Sequence, residues 1–301
     1  MGLFSNYEKV GPGISKNPEE KLPFVRFFEL YFSHFSRLIM LNFLFILAFL
    51  PFAGIMLAEY YMEPSSYAYV ILYYVLFVLT GIFVGPCVCG FTKVIRNISC
   101  ERPIFLWHDF WKAFRQNFKQ GAVMGVIDMT FYVAMSIAYP IYYQMSTSNS
   151  MFFIPFAICI VCTVLFLMMH FYIYLLIVST NLSLWKIIKN SFFLIAIVPK
   201  ISVINLAVTA ALLILTLILF PFSAFMLVVL PSFLGLLYAF NCFPIIRKYV
   251  IQPWYEARGE EAPELSYADN DDGSEAVFKD TPETEVPVER PKSSGKGKKI
   301  R

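Results

Sequence analysis

The stretch MTFYVAMSIAYPIYYQMSTSNSMFFIPFAICIVCTVLFLMMHFYIYLLIVSTNLSLW, residues 129–185, contains no Lys, Arg, Asp or Glu. A helix needs about 20 apolar residues to cross the roughly 30 Å hydrocarbon core of a bilayer, so this run is long enough for two crossings. Its polar break, QMSTSNS at 144–150, marks the turn between them. The stretch therefore predicts a helical hairpin in a membrane.

Three further runs are free of charged residues: 38–58, 64–92 and 201–246. The first two are each long enough for one crossing and the third for two. We therefore predict an all-α polytopic membrane protein, with six transmembrane helices arranged as three hairpins. The predicted spans are 38–60, 67–92, 121–143, 151–179, 200–220 and 224–246.

The composition of the 301-residue chain agrees with residence in a membrane. Hydrophobic residues make up 58% and charged residues 15%, whereas soluble domains carry about 25% charged residues. This excludes an intrinsically disordered chain and a single water-soluble globule. The net charge of +3 is the sum of +7 over residues 1–258 and −4 over residues 259–301, so it does not indicate a nucleic-acid partner.

Basic residues are confined to every second link between the predicted spans. No Lys or Arg lies between spans one and two, three and four, or five and six. Because cytoplasmic loops are enriched in Lys and Arg, we expect both termini in the cytoplasm. The two basic links within the membrane domain carry Lys93, Arg96, Arg102, Lys112, Arg115, Lys119, Lys186, Lys189 and Lys200.

The link between spans two and three contains an amphipathic pattern over residues 104–120. Trp107, Trp111, Phe114 and Phe118 fall on one helical face, which Phe110 widens. Such a helix, aromatic on one side and basic on the other, is typical of the membrane surface. Two interpretations stay open: an interfacial linker that positions span three, or a docking helix for a cytoplasmic partner. The basic face carries Lys112, Arg115, Gln116 and Lys119, and Asp109 could cap the start of the helix.

A weak internal repeat accompanies this pattern. Asn117-Phe118 follows Trp111-Lys112 just as Ser191-Phe192 follows Trp185-Lys186, and Asn42-Phe43 follows Arg37. The offsets are 75 and 74 residues. We hypothesise three repeats of about 75 residues, each a short surface helix followed by a membrane hairpin.

Ionisable side chains inside the predicted spans are few. Asp128 lies one to two turns into span three and His170 lies in span four, and the two could meet if these spans pack antiparallel. Such groups are costly in a membrane, so the pair is a candidate proton-linked or ligand-binding site. For the amides in the spans we favour interhelical hydrogen bonds. These amides are Asn42, Asn205 and Asn241.

Sequence motifs for enzymatic chemistry are not found. The chain contains no Walker loop, HExxH or GxSxG motif, and no His or carboxylate accompanies Cys159 and Cys162 at zinc spacing. We therefore expect no cofactor, no metal and no enzymatic activity. Gly85-Pro86 and other prolines in spans could break helices, as in transporter sites.

Three segments are predicted from composition: a cytoplasmic N-terminal segment at 1–35, the membrane domain at 36–252 and a cytoplasmic tail at 253–301. Residues 259–301 contain no apolar run longer than three. Gly, Pro, Ser, Glu and Lys dominate there, which favours disorder.

The chain resembles the YesL family of bacterial integral membrane proteins, a domain of unknown function, over residues 1–252. The resemblance rests on Met1-Gly2-Leu3-Phe4 with Gly11-Pro12-Gly13-Ile14-Ser15-Lys16, on Leu38–Phe43 running to Pro51, and on Asp109–Gly121 preceded by Gly85-Pro86. It implies a bacterial plasma-membrane location and an accessory role beside carbohydrate ABC transporters. It supplies no catalytic or binding residues.

The expected function is therefore a non-enzymatic membrane protein accessory to a carbohydrate ABC transport or sensing system. The alternative is a permease subunit for a small solute, and an intramembrane enzyme using Asp128 and His170 is a third hypothesis. Expected partners are the lipid bilayer and ABC transporter subunits. The candidate functional or family-motif residues are Asn42, Gly85, Pro86, Asp109, Phe110, Trp111, Phe114, Asn117, Asp128 and His170.

Overall fold

The computed structural model describes residues 22–61, 67–220 and 226–257, and no strand occurs among them. Ten α-helices account for most of these residues. They are α1 (Pro23–Ser33), α2 (Phe35–Tyr61), α3 (Tyr67–Ser99), α4 (Leu106–Gln116), α5 (Phe118–Ser148), α6 (Phe153–Ser179), α7 (Leu184–Ile197), α8 (Pro199–Ile218), α9 (Met226–Ile246) and α10 (Gln252–Glu256).

Several of these helices are long and apolar enough to cross a membrane. Among the described residues five segments qualify on their own, built on α3, α5, α6, α8 and α9. A sixth qualifies if α1 and the first part of α2, which meet at an angle of 71°, form one broken span. The structure thus supports a multi-pass membrane protein with five or six candidate spans.

The turn between α5 and α6 shows how the polar break at 144–150 ends one helix and begins the next. Asn149 adopts an extended conformation after α5, and its side-chain oxygen accepts a hydrogen bond from the Met151 backbone N–H at 3.0 Å. A short 3₁₀ turn at Ser150–Phe152 then leads into α6. An Asn in this position satisfies a backbone donor that the helix start leaves without a partner.

Helix order repeats three times along the chain, as one short helix followed by two long ones. In each case a single non-helical residue separates the short helix from the next: His34, Asn117 and Val198. These junctions are 83 and 81 residues apart. The register of 75 residues is therefore wrong, because it aligns Asn42 inside α2 and Ser191 inside α7 with the junction residue Asn117.

Helix α3 lies at the centre of the fold and packs against α2, α4, α5, α6 and α9. Its closest neighbour is α5, and the crossing is made by Gly81 and Gly85 against Gly121 and Gly125. A Cβ atom added to Gly85 would overlap the Gly121 carbonyl group and lie 2.9 Å from the Gly125 nitrogen. Two small-xxx-small motifs thus allow the two backbones to touch.

Helix α1 packs on α9 and extends the packed unit beyond the predicted domain boundary at residue 35. The Phe27 ring contacts Phe233 and Phe240 at centroid distances of 5.4 and 5.8 Å, and the Tyr31 ring contacts Phe233 at 5.3 Å. At the other end of the membrane domain, α10 continues the chain as a helix through Glu256, so the first residues of the predicted tail are ordered as a helix.

Several predictions concern residues outside the described ranges. They are the N-terminal motifs at 1–4 and 11–16, the links 62–66 and 221–225, and the tail from residue 258 onward.

Candidate functional site

The two ionisable residues singled out in the predicted spans lie in contact. Asp128 on α5 and His170 on α6 approach to 2.8 Å between Oδ1 and Nε2. One helical turn further along α6, the Tyr174 hydroxyl donates to Asp128 Oδ2 at 2.5 Å. We call Asp128, His170 and Tyr174 the α5–α6 triad. The predicted proximity of Asp128 and His170 is thus present, whereas Tyr174 was missed.

The Nδ1 atom of His170 carries a hydrogen. This atom lies 2.7 Å from the carbonyl oxygen of Phe166 on the preceding turn of α6. A carbonyl oxygen only accepts, so Nδ1 must be the donor. The hydrogen bond fixes the ring orientation and points Nε2 at Asp128. The sequence signal that could have identified Tyr174 is its spacing from His170, since residues four apart share one helix face.

Aromatic rings enclose the triad on one side. Phe131 on α5 stacks on Phe166 on α6 at a centroid distance of 3.9 Å, and Phe166 lies 4.4 Å from the His170 ring. The side chains of Asp128 and His170 are 20% and 22% exposed. Apolar rings around a polar contact reduce its access to water, which strengthens the interaction between the charged groups.

The glycine crossing positions the helix that carries Asp128. Gly121 and Gly125 hold the first turns of α5 against α3, beside Pro86 and Cys89. Of the family-motif pair, Gly85 makes the close backbone contact, and Pro86 is buried within α3, where its Cα would lie 3.0 Å from a Cβ on Gly121. This pair belongs to a helix contact, and the glycine spacing Gly81-x₃-Gly85 was the signal that sequence reasoning overlooked.

A second buried charge joins three helices. Arg96 on α3 is 2% exposed and donates to the Val178 carbonyl and the Ser179 hydroxyl, both at 3.1 Å. Its guanidinium also lies 5.6 Å from the Phe243 ring centroid on α9. From the sequence, Arg96 is one of the basic residues of the link between spans two and three. In the structure it lies within α3 and binds the last turn of α6 through the Val178 carbonyl and the Ser179 hydroxyl, where a cation is favourable for the helix dipole.

Buried amides form interhelical hydrogen bonds, as predicted. Asn42 on α2 donates to the Ser232 hydroxyl on α9 at 2.7 Å. Asn241 on α9 donates to the Asn205 side-chain oxygen on α8 at 2.7 Å, and Asn205 donates to Cys242 Sγ at 3.2 Å. These contacts tie α2, α8 and α9 together and do not converge on the α5–α6 triad.

The amphipathic helix forms at 106–116, but its buried face differs from the predicted one. Phe110, Ala113 and Phe114 are the buried residues of α4, whereas Trp107 is 60% exposed. The aromatic row nevertheless forms a chain of edge-to-face ring contacts from Trp107 to Phe118. Contact with α3 through Phe110 decides the rotation of α4: a Cβ on Gly90 would meet the Phe110 ring at 3.0 Å.

This rotation places aromatic and basic side chains together on the outer side of α4. They line a groove of about 750 Å³, which we call the α4 groove. The predicted separation into an aromatic face and an opposite basic face is therefore wrong. The groove is formed by Trp107, His108, Trp111, Lys112, Arg115 and Gln116.

Asp109 and Asn117 define the ends of α4. Asp109 Oδ2 accepts from the Phe105 backbone N–H at 3.0 Å, so Asp109 caps the start of the helix from within its first turn. Asn117 ends the helix: its backbone and side-chain N–H groups both donate to the Ala113 carbonyl at 3.0 Å. Both motif residues thus shape the helix itself.

Metal-binding geometry is not found in the part of the chain that the structure describes, where no group of three or more His, Cys, Asp or Glu side chains could hold an ion. All six cysteines lie in that part and are free thiols.

Comparison with known proteins gives one family match. No curated protein and no solved structure matches the chain significantly. The family model described as "Protein of unknown function, DUF624" matches residues 67–139, which begin with α3, include α4 and end within α5. The match covers about a quarter of the chain and contains the glycine crossing, the α4 groove and Asp128. This part of the chain is therefore similar to that family of unknown function.

Proposed function

We propose that the protein is a non-enzymatic accessory subunit of a bacterial carbohydrate ABC transport or sensing system, and that it binds a transporter subunit through the α4 groove. The observation that carries this proposal is the exposure of Trp107 beside basic side chains on a helix whose other face is fixed against α3. The resemblance to the YesL family supplies the transport context and the bacterial plasma membrane, and the distribution of Lys and Arg predicts the cytoplasmic side for α4.

The chemistry of the α4 groove favours an acidic segment with apolar side chains as the partner. Two tryptophan rings, Trp107 and Trp111, offer flat apolar surface, and Arg115 offers a planar group that binds carboxylates in a bidentate manner. Tryptophan and arginine are the residue types that contribute most to binding energy at protein interfaces. On the other side of α4, the buried rings of Phe110 and Phe114 hold the helix against α3.

Co-purification from native membranes tests this proposal. The full-length protein carrying Trp107→Ala with Arg115→Glu is compared with the wild type. We expect ABC transporter subunits to co-purify with the wild type and to be at least about tenfold depleted in the groove variant, as for the loss of about 1.4 kcal/mol or more of binding free energy.

The matched control lies on α7, where Trp185 and Lys186 repeat the Trp-Lys pair of α4 and are both exposed. The variant Trp185→Ala with Lys186→Glu should keep the transporter subunits bound. Equal depletion in both variants, or a wild type that brings down no transporter subunit, would overturn the proposal.

A second candidate function is a solute permease, and the α5–α6 triad favours it. A charged pair between membrane helices is a common feature of substrate and ion pathways. Proteoliposomes that contain only this protein test the alternative by uptake of radiolabelled sugars. Saturable flux that is lost in Asp128→Asn would establish a permease and would show that the protein does not act only as an accessory subunit.

A further inference from the structure

We propose that Asp128, His170 and Tyr174 form a proton-binding site inside the membrane domain, which holds one proton between Asp128 Oδ1 and His170 Nε2. The inference goes beyond the proposed function, because it concerns α5 and α6 and not the α4 groove. It holds or fails independently of any partner.

The geometry requires a hydrogen between the two atoms. Oδ1 and Nε2 lie 2.8 Å apart, which is a hydrogen-bond distance. His170 Nδ1 already carries a hydrogen, which it donates to the Phe166 carbonyl. A neutral imidazole would then present only a lone pair at Nε2, facing a lone pair of the carboxylate. The contact therefore exists only when one additional proton is bound.

The hydrogen bond from Tyr174 indicates that Asp128 carries the negative charge. Its hydroxyl donates to Oδ2 at 2.5 Å, which lies in the range of an O–H group bound to an anionic oxygen. The bound state is accordingly a carboxylate that accepts from Tyr174 and from an imidazolium. In this state the pair has no net charge, which is the arrangement that a medium of low polarity favours.

The proton is released from His170. The Nε2–H bond breaks, the proton leaves to solvent or to a carrier, and the electron pair remains on Nε2. The carboxylate then carries an uncompensated negative charge between α5 and α6, and the 2.8 Å contact is lost. Rebinding of one proton restores both the contact and the neutrality of the pair.

Among the described residues, few titratable or charged groups lie on the helices that pack against α5 and α6. Apart from those of α3 and α4, they are Lys186 and Lys189 on α7, Lys200 on α8, and Tyr238 and Cys242 on α9. From α3, the Cys89 thiol is close enough to interact electrostatically with Asp128 and Tyr174. The cations of α3 are Lys93 and Arg96, and the Arg96 guanidinium is bound to the Val178 carbonyl and the Ser179 hydroxyl at the end of α6. Helix α4 also packs on α5, and its titratable side chains lie in the α4 groove or at the Asp109 cap.

The test is nitrogen-15 NMR of the full-length protein in lipid nanodiscs with labelled histidine. The chain contains only three histidines, and His34→Gln and His108→Gln identify their own signals. We expect both ring nitrogens of His170 to carry hydrogen at neutral pH and the Nε2 hydrogen to be lost at alkaline pH. A neutral His170 at neutral pH, or a ring whose protonation never changes, overturns the proposal.

Two variants separate the roles of the partners. In Asp128→Asn the counter-charge is absent, so we expect the imidazolium signal at neutral pH to disappear, and its persistence overturns the proposal. If this variant does not fold, Tyr174→Phe provides the measurement. We then expect the imidazolium to remain while the infrared carboxylate band of Asp128 shifts, and an unchanged band shows that Tyr174 does not hold the carboxylate.

Discussion

Ionisable residues inside the helical domain are bound to specific partners, and the partners explain where each residue lies. Asp128 binds His170 and Tyr174, and Arg96 binds the end of α6. Burying a charge without a partner is costly, so each of these residues constrains the helices that supply its partners. These contacts of charged residues join specific pairs of helices, which apolar contacts alone would allow to slide past one another.

Arg96 provides a direct test at the residue scale. Replacement by Met removes the donors to the Val178 carbonyl and the Ser179 hydroxyl, so we expect a loss of about 2–4 kcal/mol in the free energy of unfolding. Arg96→Lys should recover only part of it, because an ammonium group lacks the planar fork. Thermal unfolding in detergent measures both.

The control for Arg96 is Arg26, which forms an ion pair with Glu101 at 3.0 Å with both side chains more than half exposed. Such surface pairs contribute about 0–1 kcal/mol. Arg26→Met should therefore shift the unfolding temperature far less than Arg96→Met. Equal shifts would contradict the structural role of Arg96.

Among the helices, the crossing of α3 and α5 decides how the domain packs. Gly81, Gly85, Gly121 and Gly125 bring the two backbones into contact, and this contact lies at the start of the helix that carries Asp128. Association of helices in lipid depends on such close approach, since lipid chains are as apolar as the side chains they replace.

Substitution of Gly85 by Ala tests the crossing. The added methyl group would overlap the Gly121 carbonyl, so α3 and α5 must separate, and we expect a loss of about 1–3 kcal/mol in stability. Gly54→Ala is the matched control, because a Cβ atom there meets nothing within 4 Å. Alanine is the better helix former by about 1 kcal/mol, so this control should be neutral or stabilising. Thermal unfolding should show a lower unfolding temperature for Gly85→Ala and an unchanged or higher one for Gly54→Ala.

The sequence predicts the long helices well and the contacts between them poorly. Runs without charge located α3, α5, α6, α8 and α9, because a charged side chain is costly inside a bilayer and a span is therefore visible in the composition alone. The buried face of α4 could not be read from its aromatic spacing, because both sides of α4 carry aromatic rings and only Gly90 on α3 admits Phe110. Tyr174 was missed since a tyrosine in an apolar run carries no charge signal.

On the scale of the whole molecule, the described helices follow one plan three times. A short helix precedes two long ones at α1, α4 and α7. Arg96 connects the first group to the second through Val178, and Gln120 of the second group donates to the Leu182 carbonyl in the link that precedes the third. Because α3 contacts helices from all three groups, the domain is a single packed unit. The orientation of that unit in a membrane remains a prediction from the basic links.

Reporter fusions test this orientation. With both termini in the cytoplasm, alkaline phosphatase should be active only when inserted after Ser66, Asn149 or Ser223, in the links that lack Lys and Arg. A green fluorescent reporter should be fluorescent at Arg301 and in the basic links after Glu101 and Asn181. Phosphatase activity at Arg301, or fluorescence after Asn149, would contradict the predicted topology.

The single-residue junctions at His34, Asn117 and Val198 couple chain length to rotation. Each helical residue turns the chain by about 100°, so one residue inserted at Asn117 would rotate α5 by that angle relative to α4. Gly121 and Gly125 would then leave α3, and Asp128 would leave His170, although no contact residue had changed. Natural length variation should accordingly accumulate in the links at 62–66 and 221–225 and be excluded from the three junctions. At each junction the number of residues fixes the rotation of the helix that follows.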